Sequence, residues 1–265
     1  MPATERRNRL LEIVRRQGFA SLPDLAEALQ VSESTIRRDL AHLEEQGGAK
    51  RTHGGAFYSG PSPHLAHFQN RQEAQWDEKK AIASTAAGMI NDGDTLLLDG
   101  GSTTYELAQL LAGRALQVVT NSLPVANLFS AASNVELIVI GGYVLPRSGA
   151  IHGPYADEML KSLRVRKAVL SAAGIDHTRL YNSNHMLADT QRAMVDAADE
   201  VILLADSSKF GRQSLACICE LDRIDRVVVD HHLDESWQRH LSDLDVDLVL
   251  ASPTRAAEEL PTSAD

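Results

Sequence analysis

One stretch of the chain, LLLDGGSTTYELAQLL from Leu96 to Leu111, limits most strongly the folds that this sequence can adopt. It joins an apolar run to an amphipathic pattern through two glycines and three hydroxyl residues, which predicts a buried strand, a sharp turn and a helix. The free amide groups and the dipole at the start of such a helix favour an anion. The stretch therefore predicts either a phosphate-binding turn or an ordinary turn whose hydroxyls cap the helix.

Length and charge distribution indicate two domains with different partners. The chain has 265 residues; residues 1–57 contain nine Lys and Arg against eight Asp and Glu, and the remainder contains seventeen against twenty-eight. This length favours two domains, and the uneven charge predicts that the two ends meet different partners. No apolar run reaches the roughly 18 residues of a membrane span, and the N-terminus lacks the apolar core of a secretory signal. We therefore expect a cytoplasmic protein that does not bind membranes.

Three helical patterns occupy the first 45 residues. The third begins near residue 32, and its Ile36 and Leu40 recur at helical spacing on one apolar face. Polar and basic residues stand off that face near the helix start, as in a helix that enters the major groove of DNA. The alternative is a three-helix core with a solvated pair of arginines. The residues concerned are Ser34, Thr35, Arg37 and Arg38.

A short basic hairpin is predicted after the third helix. Two glycines at 47 and 48 end the helix, and the run AKRTHGGAF (49–57) predicts two short strands with a basic tip. Such a hairpin would form the wing of a winged helix and lie beside the DNA. We expect Arg51 and His53 to flank the groove and Lys50 to contact a phosphate.

The run VSESTIRRDLAHLEEQGGAKRTHGGA resembles the N-terminal signature of the DeoR family of bacterial transcriptional regulators. That signature combines an S-x-x-T-I-R-R-D-L recognition helix with an R-x-H-G-G-A wing, and both halves are present at the expected spacing. The resemblance implies a core role for Ile36 and Leu40 and a DNA-contacting role for six residues. These six are Ser34, Thr35, Arg37, Arg38, Arg51 and His53.

Strands and helices alternate in the rest of the chain. Residues 58–76 contain GPSP and no clear period, which predicts a linker. The alternation from 77 to 252 predicts an α/β domain with a mostly parallel sheet and helices on both faces. The polar residues 253–265 predict a flexible tail. The expected fold class is therefore α/β, with an N-terminal winged helix-turn-helix (1–57) joined to this larger domain.

Polar residues follow several predicted strands at the point where the strand ends. Because ligands of open parallel sheets collect at this edge, we expect these residues to form one site. Amides and hydroxyls would hold a phosphate, Lys209 would add charge, and Asn121 with Asp176 would bind sugar hydroxyls. For each residue alone, turn chemistry or a surface pair is the alternative. The predicted effector-binding residues are Asp99, Gly100, Gly101, Ser102, Thr103, Thr104, Asn121, Ser122, Gly142, Gly174, Asp176 and Lys209.

The motifs of this part extend the resemblance to the DeoR family. DGGSTT, TNS, the two glycines after a strand, AGID and DSSKFG are similar to motifs of its effector domains, which bind phosphorylated sugars or their relatives. The domain is also similar to ribose-5-phosphate isomerase, but the lysine and the glycine-rich motif of that enzyme, with its neighbouring glutamate, have no match here. The segment LYNSNHMLADTQR (180–192) departs from many family members, which often carry a glutamate and a lysine near Asp189 and Gln191.

Together these motifs predict a repressor of a carbohydrate operon that a phosphorylated sugar releases from its operator DNA. The alternatives are a sugar phosphate that acts as corepressor and an isomerase-like enzyme. We predict no catalytic residues, no metal and no cofactor, because the histidines lack ligand spacing and Cys217 and Cys219 predict buried thiols. Since operators are commonly palindromic, we expect a homodimer or homotetramer.

Overall fold

Two separate units make up the chain, Met1–His67 and Phe68–Asp265. The computed structural model describes residues 2–17, 19–45, 49–51, 55–58 and 68–252. The predicted tail at 253–265 and the middle of the predicted linker lie outside the described residues.

The described residues of the first unit form three helices and three short strands. Leu10, Val14, Leu25, Ile36 and Leu40 are buried between them, so the apolar spacing that predicts the helices is also the spacing that packs them. Its elements are α1 (Ala3–Gln17), β1 (Phe19–Ser21), α2 (Leu22–Leu29), α3 (Glu33–Glu45), β2 (Ala49–Arg51) and β3 (Gly55–Tyr58).

The three strands form an antiparallel sheet in the order β1-β3-β2. The predicted hairpin is confirmed as β2 and β3. The sequence does not predict β1, because three residues are too short to show a period; its Phe19 lies opposite Phe57. Pairing with β1 anchors the hairpin to the chain between α1 and α2.

The second unit is an α/β structure of nineteen further helices and strands among the described residues. Its first part contains α4 (Phe68–Glu73), α5 (Trp76–Ala87), β4 (Thr95–Leu98), α6 (Ser102–Leu111), β5 (Leu116–Thr120), α7 (Leu123–Phe129), β6 (Val135–Val139), β7 (Tyr143–Leu145) and β8 (Ala150–His152). Its second part contains α8 (Pro154–Lys161), β9 (Val165–Leu170), β10 (Gly174–Ile175), β11 (Arg179–Asn182), α9 (His185–Asp196), β12 (Ala198–Leu204), β13 (Ala216–Glu220), β14 (Arg226–Asp230), α10 (Glu235–Asp243) and β15 (Asp247–Ala251).

Seven strands form the central sheet in the order β15-β14-β12-β9-β4-β5-β6. Every neighbouring pair is parallel, which confirms the predicted sheet. From β4 the chain builds outward through β5 and β6 to one edge, and from β9 it builds through β12, β14 and β15 to the other. The order therefore reverses between β4 and β9. In open sheets of this kind, ligands bind in the crevice beyond the carboxyl ends of the strands at such a reversal.

Helices cover both faces of this sheet. Leu96 and Leu98 of β4 pack with α5, α6 and α7, whereas Leu97 between them packs with α8, α9 and α10. All three leucines are fully buried. A strand that is buried on both faces needs an unbroken apolar run, which is what the sequence shows here.

The second half of the predicted linker is part of the second unit. Phe68–Glu73 forms α4, and its Phe68 ring packs edge-on against Tyr105 of α6, with ring centroids 5.5 Å apart. The amide of Phe68 also donates a hydrogen bond to the carbonyl of Arg147. The linker prediction is therefore wrong for residues 68–76, because a helix of six residues is too short to show a period.

Two small antiparallel sheets complete the described part of this unit. One is the β7–β8 hairpin, and the other has the order β10-β11-β13. Strands of two to five residues carry too little pattern to be recognised, although the sequence places Cys217 and Cys219 in a strand. Both cysteines lie in β13 as free thiols and are half-buried rather than buried as predicted.

Candidate functional site

A cluster of hydroxyls begins the recognition helix α3. The Ser32 hydroxyl accepts a hydrogen bond from the amide of Thr35 at 3.4 Å, and it lies 2.9 Å from Ser34 Oγ and 3.0 Å from Thr35 Oγ1. The same amide donates to the Ser32 carbonyl at 2.9 Å, so Ser32 caps the first turn of α3 with both its carbonyl and its hydroxyl. Ser34 is exposed and Thr35 is half-buried, so these two predicted DNA contacts lie at the open end of the helix.

Two exposed arginines follow on α3. Arg37 Nη2 lies 3.6 Å from Glu33 Oε2, one turn earlier, and both side chains are about half exposed. Such a surface pair contributes at most about 1 kcal/mol. Arg38 has no ion-pair partner among the described residues. Both guanidinium groups are therefore available for DNA.

Asp39, next to these arginines, fastens α3 to α1. Its Oδ2 accepts a hydrogen bond from Arg6 Nε at 2.6 Å, its Oδ1 accepts one from Arg7 Nε at 3.2 Å, and the residue is 4% exposed. The sequence pattern alone does not predict a role for it. The available signal was its place beside Leu40 on the inward side of the helix, because a buried carboxylate requires a charged partner. This contact sets the orientation in which α3 is presented.

The wing is joined to the recognition helix through Arg51. Its Nε donates to Glu44 Oε2 at 2.6 Å and its amide donates to Glu44 Oε1 at 3.1 Å. Lys50 lies in β2 opposite Phe57, but its side chain lies outside the described part, as does the whole of His53. Of the predicted wing contacts, only the Arg51 side chain is placed, in an exposed pair that a DNA phosphate can displace.

The predicted phosphate-binding turn joins β4 to α6 where the sheet order reverses. Thr104 is fully buried and closes the turn: its Oγ1 accepts from the Gly101 amide at 3.0 Å and donates to the Asp99 carbonyl at 2.7 Å. Ser102 and Thr103 begin α6, and their hydroxyls have no hydrogen-bond partner among the described residues. The turn thus offers first-turn amides and two hydroxyls, while the Thr104 side chain is used within the turn.

Close packing requires glycine at the turn. A Cβ atom on Gly101 would lie 2.1 Å from Ser171 Oγ and 2.7 Å from Ser171 Cβ, distances at which atoms overlap. A Cβ atom on Gly100 would lie 3.0 Å from that of Ala150. The end of β9 and the β7–β8 hairpin therefore enclose the turn from two sides.

The Asp99 carboxylate is the centre of a buried hydrogen-bond network. Its Oδ2 accepts from Ser171 Oγ at 2.9 Å, from the Ser171 amide at 3.3 Å and from Gln191 Nε2 at 2.9 Å. Asn182 holds Gln191 in turn, since its Nδ2 donates to Gln191 Oε1 at 2.8 Å. Burial raises the pKa of Asp99, and the hydrogen bonds from Ser171, Gly100 and Gln191 oppose that rise. The sequence does not predict Ser171, Gln191 or Asn182 as members of this network.

Arg71, Lys79 and Lys209 are linked by electrostatic interactions that begin at Asp99, and the sequence predicts only Lys209 among them. Arg71 of α4 is half-buried; burial lowers the pKa of Arg71, and the charge of Asp99 opposes that change. Its Nη2 is buried without a hydrogen-bond partner among the described residues. Lys79 donates to the carbonyls of Arg71 and Ala74, and it interacts electrostatically with Lys209. Arg71 was missed because its segment was assigned to a linker.

Asn121 and Ser122 follow β5 and differ in what their side chains do. Ser122 Oγ accepts from the amide of Val125 at 3.4 Å and caps α7. Asn121 Nδ2 donates to the carbonyl of Ile151 at 3.0 Å. Its Oδ1 is buried without a hydrogen-bond partner in the described part of the chain. Asn121 therefore keeps an unused acceptor, whereas the Ser122 hydroxyl is used locally.

Gly142 and Gly174 are places where two backbones approach closely. A Cβ atom on Gly142 would lie 2.7 Å from the carbonyl oxygen of His152, and one on Gly174 would lie 2.6 Å from that of Arg212. Packing therefore accounts for both glycines without a ligand.

Asp176 organises the small sheet β10-β11-β13. Its Oδ1 accepts from the amides of Thr178 and Arg179 at 2.9 Å, and its Oδ2 accepts from Tyr181 Oη and Gln213 Nε2 at 2.7 Å. The Tyr181 hydroxyl, with these other donors, holds the pKa of Asp176 well below its ordinary value. None of these donors belongs to the turn at 99–104, so these contacts do not bring Asp176 together with the turn.

The described residues contain neither a membrane-spanning helix nor a metal-binding cluster. None of the helices there has both the length and the apolar character to cross a bilayer. The same residues contain no group of three or more His, Cys, Asp or Glu side chains placed to hold a metal ion.

A helix-turn-helix with a wing in one unit, and a strand, glycine turn and helix at a sheet reversal in the other, are features of a transcription regulator with a sensor domain. The family models agree. The DeoR-like helix-turn-helix domain matches residues 6–60, and the DeoR C terminal sensor domain matches residues 74–231. The chain belongs to the DeoR family of transcriptional regulators.

Named relatives are similar along most of their length. The L-fucose operon activator of Haemophilus influenzae is 34% identical over 242 residues, which cover 91% of this chain and 97% of the relative. The glycerol-3-phosphate regulon repressor of Escherichia coli K12 is 33% identical over 252 residues, or 94% and 100% of the two chains. Among solved structures, ribose 5 phosphate isomerase A from Neisseria gonorrhoeae has a TM-score of 0.36 and 14% identity, and the match covers 50% of this chain and 52% of the isomerase. That structural similarity is too low to bear on function.

Proposed function

We propose that this protein represses genes of carbohydrate use by binding operator DNA, and that a phosphorylated sugar bound at the turn 99–104 releases it. The observation that carries the proposal is the turn itself. First-turn amides and two hydroxyls lie at the sheet reversal, and nearby the buried Arg71 Nη2 has no partner among the described residues. A phosphate dianion would satisfy all of these donors together.

Carbohydrate control is supported by what the two relatives are named for, an L-fucose operon and a glycerol-3-phosphate regulon. One of them is an activator and the other a repressor. A ligand shifts the DNA affinity only through its preference for one of two states, so the same site can serve a ligand that weakens DNA binding or one that strengthens it. We propose a repressor that the ligand releases from DNA, and the DNA affinity measured with and without ligand distinguishes the two effects.

The proposed architecture is a DNA-binding domain that β3 extends from the predicted residue 57 to Tyr58, and a sensor domain from Phe68 to residue 252. Because α4 begins at Phe68, the proposed linker shortens to residues 59–67. We propose a cytoplasmic homodimer or homotetramer, because one winged helix contacts a single half-site and operators are commonly palindromic. The relatives are regulators, and we propose that this chain binds its sugar phosphate without converting it.

Arg38→Ala should weaken operator binding by about 1–3 kcal/mol and relax its sequence preference, if this arginine reads a base edge. Fluorescence anisotropy with a duplex from the promoter of its own operon, compared with a scrambled duplex, measures both effects. Arg9→Ala is the matched control, because Arg9 is an exposed arginine of α1 paired with Glu5. Equal losses on the specific and the scrambled duplex would assign Arg38 to phosphate contact instead.

Coupling between the two domains must be reciprocal. If the sugar phosphate weakens operator binding tenfold, about 1.4 kcal/mol of coupling, saturating operator must weaken sugar phosphate binding tenfold as well. Calorimetric titration with and without operator measures this factor. Equal ligand affinities in the two titrations would show that the sites are uncoupled. We also expect the sugar phosphate to be recovered unchanged after incubation with the protein. Its conversion would favour the alternative of an isomerase-like enzyme.

A further inference from the structure

Two buried polar atoms near the turn lack partners among the described residues: Asn121 Oδ1 and His152 Nδ1. Asn121 is 1% exposed and His152 is 7% exposed. More than nine in ten buried polar groups in native proteins have a hydrogen-bond partner, so each exception needs an explanation. Neither atom is used in the contacts that shape the turn.

Both atoms are held by the same short strand, β8. The carbonyl of Asn121 accepts from the Ile151 amide at 2.6 Å, and Asn121 Nδ2 donates to the Ile151 carbonyl at 3.0 Å. This pair of hydrogen bonds fixes Asn121 against the residue that precedes His152. The two partnerless atoms therefore belong to residues that adjoin each other at β8.

The strand geometry turns His152 toward the phosphate-binding turn. Side chains alternate along a strand, so His152 lies on the same face of β8 as Ala150. The Cβ of Ala150 lies 3.0 Å from the position that a Cβ atom would occupy on Gly100. His152 is thus one strand repeat, about 7 Å, from the point where β8 packs against the turn.

The chemistry of these two atoms differs from that of the turn. Amides, hydroxyls and Arg71 donate to an anion, whereas Asn121 Oδ1 is only an acceptor and would repel a phosphate oxygen. Burial lowers the pKa of His152. The charge of Asp157 opposes this change and that of His185 adds to it, so the ring of His152 is neutral near pH 7. A neutral imidazole donates through one nitrogen and accepts through the other. A hydroxyl group, which both donates and accepts, fits this pair.

We infer that Asn121 and His152 bind the hydroxyl-bearing carbon skeleton of the effector, and that His152 is a specificity-determining residue. The inference rests on the proposed function, since it divides that site into a phosphate end and a hydroxyl end. The ligand class is a phosphorylated sugar or polyol with a free hydroxyl a few carbons from the phosphate. Tyr143, 56% exposed with its ring 6.5 Å from that of His152, lies at the outer side of this end.

Calorimetry on the full chain separates the two ends. The probes are inorganic phosphate and a set of sugar phosphates: ribose 5-phosphate, fructose 6-phosphate and glycerol 3-phosphate. His152→Phe keeps an aromatic ring and removes both nitrogens. It should weaken the tightest of the three sugar phosphates about tenfold or more and leave the affinity for inorganic phosphate within about twofold. His152→Asn places an amide near Nδ1 and should recover part of the loss.

The matched control is His231→Phe, because His231 is an exposed histidine after β14 with its ring against that of His232, and this variant should bind both probes as the wild type does. Equal weakening of phosphate and sugar phosphate by His152→Phe and His152→Asn would overturn the inference, as would no change in either variant. In both cases a wild type that binds sugar phosphate leaves the proposed function standing. A wild type that binds none of the four probes would overturn the proposed function and the inference with it.

Discussion

Gly101→Ala should abolish phosphate binding and destabilise the second unit by about 1–3 kcal/mol, the usual effect of overpacking. The added Cβ would lie 2.1 Å from Ser171 Oγ and 2.7 Å from Ser171 Cβ. The hydroxyl cannot simply rotate away, because it donates to Asp99 Oδ2, and the Cβ is fixed by the backbone of β9. The turn itself must therefore move, and the amides at the start of α6 move with it. Calorimetric titration with sugar phosphate and thermal unfolding measure the two effects.

The structure offers a control and a rescue for this variant. Gly113→Ala adds the same methyl group where no heavy atom lies within 4 Å, so it should leave binding and stability unchanged. Ser171→Gly removes both overlapping atoms, and the double variant Gly101→Ala with Ser171→Gly should be more stable than the sum of the single effects predicts. Wild-type ligand affinity in Gly101→Ala would show that the turn does not hold the phosphate.

Asp39→Ala should reduce operator affinity at least about tenfold, although Asp39 itself is too buried to touch DNA. Its carboxylate is the group that holds α3 against Arg6 and Arg7 of α1. Removing one partner of a largely buried ion pair leaves the other charges uncompensated, so the recognition helix loses its fixed orientation. Fluorescence anisotropy at low salt measures the DNA affinity, and circular dichroism shows whether the helices remain.

The control for Asp39 is on the same helix. Glu33→Ala removes an exposed carboxylate that pairs with Arg37 at 3.6 Å, and such a pair contributes little. It should leave operator affinity unchanged or raise it slightly, because one negative charge near the DNA is lost. Operator affinity in Asp39→Ala within about threefold of the wild type would contradict the role assigned to this contact.

The elements with a strong period could be predicted from the sequence, and the contacts that complete the site could not. Strand Thr95–Leu98 and the helix after it follow from an apolar run, two glycines and an amphipathic pattern. The partners of Asp99 are distant in the sequence, at Ser171 and Gln191, and depend on which strands become neighbours. Ser171 directly follows β9 within a run of small and apolar residues, so its local pattern does not mark it as a contact of Asp99.

Asp176 shows a second limit of the sequence. A carboxylate directly after a strand predicts a ligand contact, but the same position allows it to accept hydrogen bonds from the amides of its own turn. Thr178 and Arg179 supply those amides, and Tyr181 on the next strand supplies a hydroxyl. The sequence alone does not distinguish these two uses, because both need the same residue at the same place.

The position of α4 has a practical consequence for exchanging DNA-binding domains between relatives. A chimaera joined at residue 76, where the sequence places the end of the linker, would replace Phe68 and Arg71 with foreign residues. Lys79 would then have to donate its hydrogen bonds to the carbonyls of foreign residues instead of those of Arg71 and Ala74. The natural junction lies before Phe68, so that the sensor keeps the helix that carries Arg71 of its proposed binding site.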